Sequence, residues 1–303
     1  MRIGTKGICL TFVFGLLALT AEAANYTGWR LDGTTAEVLP RNFRLCTAAL
    51  FEKSGEDTAR RPALAASGSG QPSGAGFFVL YARLREAAGE NVPIYLVDLR
   101  QESHGFVNDG VPVSWYEPHN WANLGCDASV VREREAQQLA ALIGTDLYAV
   151  PLGKTDTQNL TAYAARIIDA APEEVWATAA GFHYVRFAAA DQRFPEPEAV
   201  GAFLRFYQAL PEKAWLHFHC HAGHGRTTTY LVFYDILKHP EDTLDTIAER
   251  QRAIGGADLL AVSDDAEKND RAEKLHLFYE YVKEQRGSGF SVPWSLWIEA
   301  RGQ

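Results

Sequence analysis

Short apolar runs alternate with amphipathic segments along most of this chain. Residues 93–99 are an almost continuous apolar run, typical of a strand covered on both faces, and residues 147–152, 184–188 and 214–219 also have the composition of strands. Helical spacing of apolar positions predicts helices over residues 76–88, 129–143, 161–170, 173–180, 197–210, 229–238, 243–252 and 270–285. This alternation predicts an α/β fold with a mainly parallel central sheet flanked by helices.

Three segments follow neither period. We predict an irregular lead-in over residues 25–42 and a loop or connector over residues 54–73, which are rich in Ala, Gly, Ser and Pro. Residues 101–126 mix polar, aromatic, Gly and Pro residues at short spacing. The composition of the chain therefore changes in this segment.

The first 23 residues have the pattern of an export signal. Arg2 and Lys6 precede an apolar run over residues 8–20, and Ala21-Glu22-Ala23 is a small-x-small cleavage site. We expect cleavage after Ala23 and a periplasmic or secreted protein of residues 24–303, with no stable membrane insertion. An uncleaved N-terminal anchor is the alternative.

Charge excludes one class of partner. The net charge of −9 becomes −10 without the first 23 residues, and general nucleic-acid binding depends on a basic surface. We therefore expect no nucleic-acid partner. The sequence does not predict an oligomeric state.

Cysteine content suits an oxidising compartment. Cys9 would leave with the signal, so Cys46, Cys126 and Cys220 remain. We expect Cys220 to be free, with Cys46 and Cys126 either paired with each other or buried separately.

Residues 219–228, HCHAGHGRTT, carry most of the candidate chemistry. A predicted strand precedes them and a predicted buried helix follows. A glycine loop at a helix N-terminus collects unpaired N–H groups and the positive end of the helix dipole, which together bind anions. A cysteine at the base of such a loop is suited to attack phosphorus. The segment therefore predicts cysteine-dependent phosphatase chemistry.

Neighbouring residues have roles that follow from their chemistry. Arg226 and the loop amides favour the thiolate of Cys220, and the planar fork of Arg226 can hold two phosphate oxygens. Thr227 can donate a hydrogen bond to the sulfur. We expect His219 to brace the loop.

Protonation of the leaving oxygen needs an acid. Asp191 follows a predicted strand on a proline-stiffened loop, which would present it at the same sheet edge as Cys220. The alternative is an ordinary turn or capping aspartate.

Two other interpretations of residues 217–224 remain. Cys220 could be a buried, inert cysteine, which is a frequent fate of a free thiol. Zinc binding is the other alternative. Its candidate ligands are His217, His219, Cys220, His221 and His224.

Several further motifs accompany the cysteine loop: LPRNFR (39–44), VDLRQESHG (97–105), WANLG (121–125), PLGK (151–154), IGG (254–256) and PWSLW (293–297). Together with the loop, they resemble the bacterial protein-tyrosine-phosphatase-like inositol polyphosphatases, the cysteine phytases. The resemblance spans residues 39–297. It implies a phosphatase-type core with a small β-rich lobe inserted at about residues 101–156. It also implies stepwise hydrolysis of inositol phosphates through a phosphocysteine, without metal or cofactor.

The resemblance assigns roles to particular positions. Cys220 would be the nucleophile, Arg226 the phosphate clamp and Asp191 the general acid. Substrate contacts are expected from the loop residues and from four outer positions. These are His221, Ala222, Gly223, His224 and Gly225, with Arg44, Lys154, Gln192 and Lys268.

This chain departs from the family pattern at the mouth of the site. Thr155-Asp156 and Gln192 replace residues that are often basic in the family. His221 and His224 can supply positive charge at mildly acidic pH. Competing functions are a phosphotyrosine or phosphoinositide phosphatase and a non-catalytic phosphoanion-binding or zinc-binding module.

Overall fold

The structure is a computed structural model that describes residues 26–47, 63–151 and 160–302. Its strands are β1 (Gly28–Leu31), β2 (Arg44–Leu45), β3 (Ala66–Ser69), β4 (Ile94–Arg100), β5 (His104–Val107), β6 (Val111–Tyr116), β7 (Asp146–Ala149), β8 (Tyr163–Arg166), β9 (Ala170–Ala171), β10 (His183–Ala189) and β11 (Trp215–His219). Its α-helices are α1 (Gly74–Ala88), α2 (Ala128–Leu142), α3 (Glu173–Ala180), α4 (Pro197–Ala209), α5 (Gly225–Lys238), α6 (Leu244–Ala253), α7 (Ala266–Gln285) and α8 (Trp294–Glu299). The predicted export signal and Lys154 lie outside the described residues.

The central sheet has five strands in the order β10-β4-β11-β3-β2. Strands β10, β4, β11 and β3 are parallel, and β2 is an antiparallel edge. His219 at the end of β11 is in register with Asp98 on β4 and Ser69 on β3. The mainly parallel α/β sheet predicted from sequence is confirmed, and Cys220 follows directly at its carboxyl edge.

A second, antiparallel sheet has the order β1-β6-β5-β9, with the hairpin β7-β8 nearby. Helix α2 packs against β5 and β9. Strands β5, β6 and β7 lie in the segment where a small lobe was predicted. The second sheet also contains β1, which precedes the strands of the central sheet in sequence, and β9, which follows residue 156. The β-rich part is therefore built from separate stretches of the chain.

The helix predicted over residues 161–170 is wrong. This stretch instead contains β8 and β9. Alanine-rich sequence suits a helix locally, but Leu147 on β7 is paired with Ala165 on β8, and cross-strand pairing decides the conformation.

Two segments predicted to be irregular also contain strands. Residues 25–42 include β1, which pairs with β6. The predicted connector over residues 54–73 includes the fully buried β3. Its small residues are needed for close packing, since a Cβ on Gly68 would lie 2.7 Å from the Cγ2 of Thr227. Composition alone had suggested a loop.

Helix α5 is the most buried helix around the sheet, with every residue from Arg226 to Leu237 buried. Its aromatic side chains pack against those of neighbouring elements, as where the ring of Phe233 on α5 stacks on the ring of Phe278 on α7, with centroids 4.1 Å apart. The helix begins at Gly225, four residues before the predicted start, so Arg226 and Thr227 belong to its first turn. This packing fixes the loop that joins β11 to α5. Among the described residues, no helix combines the length and apolarity needed to cross a membrane.

Candidate active site

The sulfur of Cys220 lies at the centre of the loop between β11 and α5. It accepts a hydrogen bond from the backbone N–H of Gly223 at 3.3 Å and another from the hydroxyl of Thr227 at 3.2 Å. The side chain is almost fully buried. Two donors aimed at one sulfur stabilise a thiolate and also stabilise that thiolate as a leaving group.

Gly223 is the residue that lets the loop close over the sheet edge. Its φ is +73°, and a Cβ there would lie 2.2 Å from the backbone N of Gly70. A side chain would therefore collide with the chain leaving β3. Glycine is therefore required here for two reasons: the backbone is left-handed, and it lies too close to Gly70 to leave room for a Cβ.

Arg226 is held by Glu102, a fully buried residue just after β4. The two Nη atoms of Arg226 donate to the two carboxylate oxygens of Glu102, at 2.6 and 3.0 Å. Although burial opposes the charge on Arg226, Asp191 and Glu102 raise the pKa of its guanidinium well above the usual value. Arg226 is thus a fixed cation on the first turn of α5, beside Cys220.

Asp191 approaches the same guanidinium, with its Oδ1 3.3 Å from the Nε of Arg226. About a quarter of its side chain is exposed. Asn120 donates to its Oδ2 at 2.7 Å, and the indole of Trp121 donates to its backbone carbonyl at 2.9 Å. The structure therefore brings the predicted acid, the predicted clamp and the predicted nucleophile together.

These contacts belong to a closed circuit of side chains, here called the side-chain ring. Each member lies 2.6–3.3 Å from the next. In order, the members are Arg30, Asn120, Asp191, Arg226, Glu102, Arg100 and Asp32, which returns to Arg30. The ring joins the second sheet, through β1, to the carboxyl edge of the central sheet. It holds Asp191 and Arg226 in fixed positions relative to each other.

His219 lies behind the loop in a buried polar network. Its Nε2 is 2.7 Å from a carboxylate oxygen of Glu173, the first residue of α3. Although burial raises the pKa of Glu173, His219 and hydrogen bonding lower it below its usual value. His219 therefore links the end of β11 to the start of α3, and its loop-bracing role stays a prediction.

Asp98, Glu173 and His219 could in principle form a metal site, since their ligand atoms lie within 4.8 Å of one another. Cationic side chains already face this group. Arg186 lies 3.1 Å from Asp98, and His104 lies 3.4 Å from both carboxylates. The arrangement is that of a charge-balanced buried network, which offers little to a metal ion.

The histidines that suggested zinc do not converge. His217 contacts Ser67 and Ser69 inside the sheet, at 2.8 and 2.9 Å. His219 faces Glu173, and the ring of His221 lies 3.2 Å from Asp32. Side chains that point to three different partners cannot share one tetrahedral ion.

His221 and His224 do not supply the charge expected of them. Burial and Arg30 lower the pKa of His221, although Asp32 opposes that change. Partial burial and Arg44 lower the pKa of His224. Both shifts oppose charging at mildly acidic pH, because the neutral ring is favoured in each case.

Arg44 was expected at the substrate mouth, but it lies beneath the loop. It is buried and donates to the backbone carbonyl of Gly223 at 2.7 Å and to the hydroxyl of Thr228 at 3.2 Å. Neighbouring Arg41 also contacts the loop, through the backbone carbonyl of His221 at 2.5 Å. The LPRNFR segment therefore supports the back of the loop.

The outer substrate positions differ from one another. Lys268 is half exposed and lies 3.5 Å from Asp265, as on an ordinary solvated helix face. Gln192 directly follows Asp191, with φ at +67°. Arg271 on α7, which was not among the predicted substrate positions, also lies beside the loop, since a Cβ on Gly225 would lie 3.1 Å from its Nη1. It is largely buried, and its Nε has no hydrogen-bond partner.

Cys46 and Cys126 are not paired with each other. Both are free, as is Cys220. Cys46 is buried beside Gln251, with its Sγ 3.7 Å from the Oε1 of that residue. Burial raises the pKa of the Cys46 thiol to about 12.

Comparison with known proteins decides the family. The family model of PTP-like phytases, described as inositol hexakisphosphate, matches residues 97–238. The solved structure of a PTP-like phytase from Bdellovibrio bacteriovorus is 30% identical to this chain, with a TM-score of 0.71, and the match covers 91% of this chain and 95% of that one. The chain belongs to the PTP-like phytase family. This confirms the family and the fold class predicted from the sequence. It also confirms the prediction that the chain belongs to a family of phosphoric monoester hydrolases.

Two further matches are to longer proteins. The tandemly repeated protein tyrosine phosphatase like phytase from Mitsuokella multacida is 32% identical, with a TM-score of 0.80, over 91% of this chain and 49% of that one. The effector protein hopD2 of Pseudomonas syringae pv. tomato is 31% identical over 227 residues, which are 71% of this chain and 47% of that protein. The chain thus spans about half the length of these relatives.

Sequence reasoning missed most of the side-chain ring. Arg100 and Glu102 lie within the VDLRQESHG motif, and Asn120 directly precedes the WANLG motif, but none of them was assigned a role from the sequence. Asp32 lay in a segment predicted to be irregular. One signal could have identified two of these residues. Arg100 and Glu102 are charged residues that follow the apolar run of β4, at the sheet edge where ligands bind in such folds.

Proposed function

We propose that this protein is a cysteine-dependent phosphatase that hydrolyses phosphomonoesters of inositol polyphosphates. One observation carries the proposal: Asp191 and Arg226 lie 3.3 Å apart at the loop that surrounds the sulfur of Cys220. A nucleophile, an anion clamp and an acid at one strand edge are the groups that phosphoryl transfer needs.

The reaction would proceed in two steps. The thiolate of Cys220 attacks phosphorus while the bond to the inositol oxygen breaks, and that oxygen takes a proton from Asp191. Water then attacks the phosphocysteine, gives a proton to Asp191 and releases phosphate. The sulfur leaves as a thiolate, stabilised by the hydroxyl of Thr227 and the N–H of Gly223.

Two lines of support favour an inositol polyphosphate as substrate. A protein similar to this chain, the PTP-like myo-inositol phosphatase of Mitsuokella multacida, has been solved in complex with myo-inositol-(1,3,4,5)-tetrakisphosphate. In this chain, Arg271 adds a second guanidinium beside Gly225, where a neighbouring phosphate group would pass. Arginine suits such a place because its fork matches phosphate oxygens.

A phosphate-release assay across inositol phosphates, phosphotyrosine peptides and phosphoinositides tests this function, with Cys220→Ser as control. We expect the highest kcat/KM on inositol polyphosphates and no activity in Cys220→Ser. Undiminished activity in that variant would contradict the mechanism. A preference for phosphotyrosine peptides or phosphoinositides would contradict the substrate class, and binding without turnover would indicate a non-catalytic module.

Export is a separate proposal, supported by the charged, apolar and small-residue pattern of residues 1–23. It predicts a mature chain that begins at Ala24 and is found outside the cytoplasm. N-terminal sequencing of the protein from its natural host tests this, and an intact N-terminus in a cytoplasmic fraction would contradict it.

A further inference from the structure

The amide of Asn120 bridges the second sheet and the acid loop. Its Oδ1 accepts a hydrogen bond from Arg30 at 3.0 Å, and its Nδ2 donates to Asp191 at 2.7 Å. Arginine offers only donors, so it fixes which end of the amide faces which neighbour. With the carbonyl held by Arg30, the NH2 group must face the carboxylate of Asp191.

The backbone around Asn120 is held in an uncommon conformation. His119 and Asn120 have φ values of +63° and +61°, in the left-handed region that residues other than glycine rarely adopt. The Asn120 side chain is nonetheless almost fully buried. Such a conformation persists only where the surroundings enforce it, and it is common at functional sites.

Trp121 holds the acid loop at a second point. Its indole N–H donates to the backbone carbonyl of Asp191 at 2.9 Å, and the guanidinium of Arg193 lies 5.4 Å from the centre of its ring. Arg193 in turn lies 2.9 Å from Glu267. The carboxyl group and the backbone of Asp191 are therefore fixed separately, by consecutive residues of another loop.

We propose that Asn120 and Trp121 are positioning residues for the general acid Asp191. They orient its carboxyl group so that Oδ1 faces Arg226 and the leaving oxygen. This inference rests on the proposed function, because it concerns the acid of that same reaction. It gives the second sheet a part in catalysis, since Arg30 on β1 fixes the amide of Asn120.

Leaving-group dependence tests this role, because an alkyl phosphate needs the acid more than an activated aryl phosphate does. We expect Asn120→Ala to lower kcat about 10- to 100-fold on an inositol polyphosphate, and no more than about threefold on an aryl phosphate. Trp121→Phe keeps the ring but removes the N–H, and we expect a smaller loss with the same selectivity. If Asn120→Ala does not fold, Trp121→Phe alone still tests the positioning role.

Asn123→Ala is the matched control. Asn123 is also buried and lies in the same segment, but it donates to the carbonyl of Gln101 and to Ser103. We expect any loss in this variant to be equal on both substrates. A selective loss in the control, or an equal loss or no loss in Asn120→Ala and Trp121→Phe, would overturn the inference.

A double-mutant cycle separates this inference from the proposed function. Asp191→Asn alone should lose rate selectively on the inositol polyphosphate, and adding Asn120→Ala should cost little more if Asn120 acts through Asp191. Additive losses would overturn the positioning role alone. An Asp191→Asn variant without any selectivity would instead contradict the acid assignment on which both rest.

Discussion

Glu102 binds the guanidinium of Arg226 with both of its carboxylate oxygens, at 2.6 and 3.0 Å. Both side chains are buried. Burial alone would raise the pKa of Glu102, but Arg226 and Arg100 hold it well below its usual range. The orientation of the Arg226 guanidinium therefore depends on a carboxylate that lies 124 residues away in the chain.

Replacing Glu102 by Gln should lower both stability and turnover. The amide keeps one acceptor but leaves Arg226 and Arg100 without their shared charge, and breaking a buried ion pair typically costs about 3–5 kcal/mol. We expect a clear fall in Tm and a fall of at least about tenfold in kcat/KM.

Glu135→Gln is the control for that variant. Glu135 binds Arg186 with both oxygens, at 2.9 and 2.8 Å, in a comparably buried pair. Among the described residues, the side-chain contacts of this pair do not include Cys220, Arg226 or Asp191. It should lower Tm while the folded enzyme keeps its kcat. Equal loss of kcat in both variants would show that stability alone explains the effect of Glu102.

Thr227→Val should slow the second chemical step. The hydroxyl donates to the sulfur of Cys220, and a hydrogen bond to a charged group contributes about 1.5–3 kcal/mol, so its loss should reduce kcat roughly 10- to 100-fold. Phosphocysteine should accumulate because the thiolate becomes a poorer leaving group. Thr229→Val removes a hydroxyl that donates only to the carbonyl of Gly225 and should change kcat little. Rapid-quench kinetics measure both effects, and unchanged breakdown in Thr227→Val would contradict the role.

Gly223→Ala should disrupt the loop far more than Gly255→Ala. Both glycines have positive φ, +73° and +103°, so both variants incur backbone strain. Only at Gly223 would the Cβ meet backbone atoms, 2.2 Å away at Gly70, whereas nothing lies within 4 Å at Gly255. Thermal unfolding and phosphate release compare the two. Similar losses in both variants would mean that strain, rather than close approach, sets the cost.

Stability should fall at alkaline pH because of His104. Burial would lower the pKa of His104, but Asp98 and Glu135 raise it from the ordinary 6.5 to about 10. A raised pKa means that the charged form stabilises the fold fully below pH 6.5 and progressively less as the pH rises toward 10. Tm measured across this range should decline, and His104→Gln should flatten the decline.

His276→Gln is the control for that pH series. His276 is an exposed histidine on α7, and its replacement should leave the alkaline decline as it is. A decline that persists unchanged in His104→Gln would assign it to other groups.

The sequence was sufficient for features that depend on neighbouring residues. The loop around Cys220 and the helix that follows it can be inferred from local glycine placement and from the apolar runs on each side, although α5 begins four residues before the predicted start. Asp191 could be found because it directly follows a strand. These features needed no knowledge of long-range packing.

Features that depend on distant pairing could not be predicted in this way. The contact between Asn120 and Asp191 joins residues 71 positions apart, and the contact of Arg30 with Asn120 joins residues 90 apart. Strand β8 is alanine-rich, and only its partner β7 shows that it is extended. The surroundings of His221 also reversed an expectation, because burial and Arg30 lower its pKa and so oppose its charging at mildly acidic pH.

The central claim is that phosphate passes through a covalent bond to Cys220. Rapid quenching of the protein during turnover of an inositol polyphosphate carrying labelled phosphate, followed by mass spectrometry of its peptides, tests this most directly. We expect label on the peptide that contains Cys220 and none in Cys220→Ser. Continued phosphate release with no labelled cysteine, or with label on another residue, would contradict it.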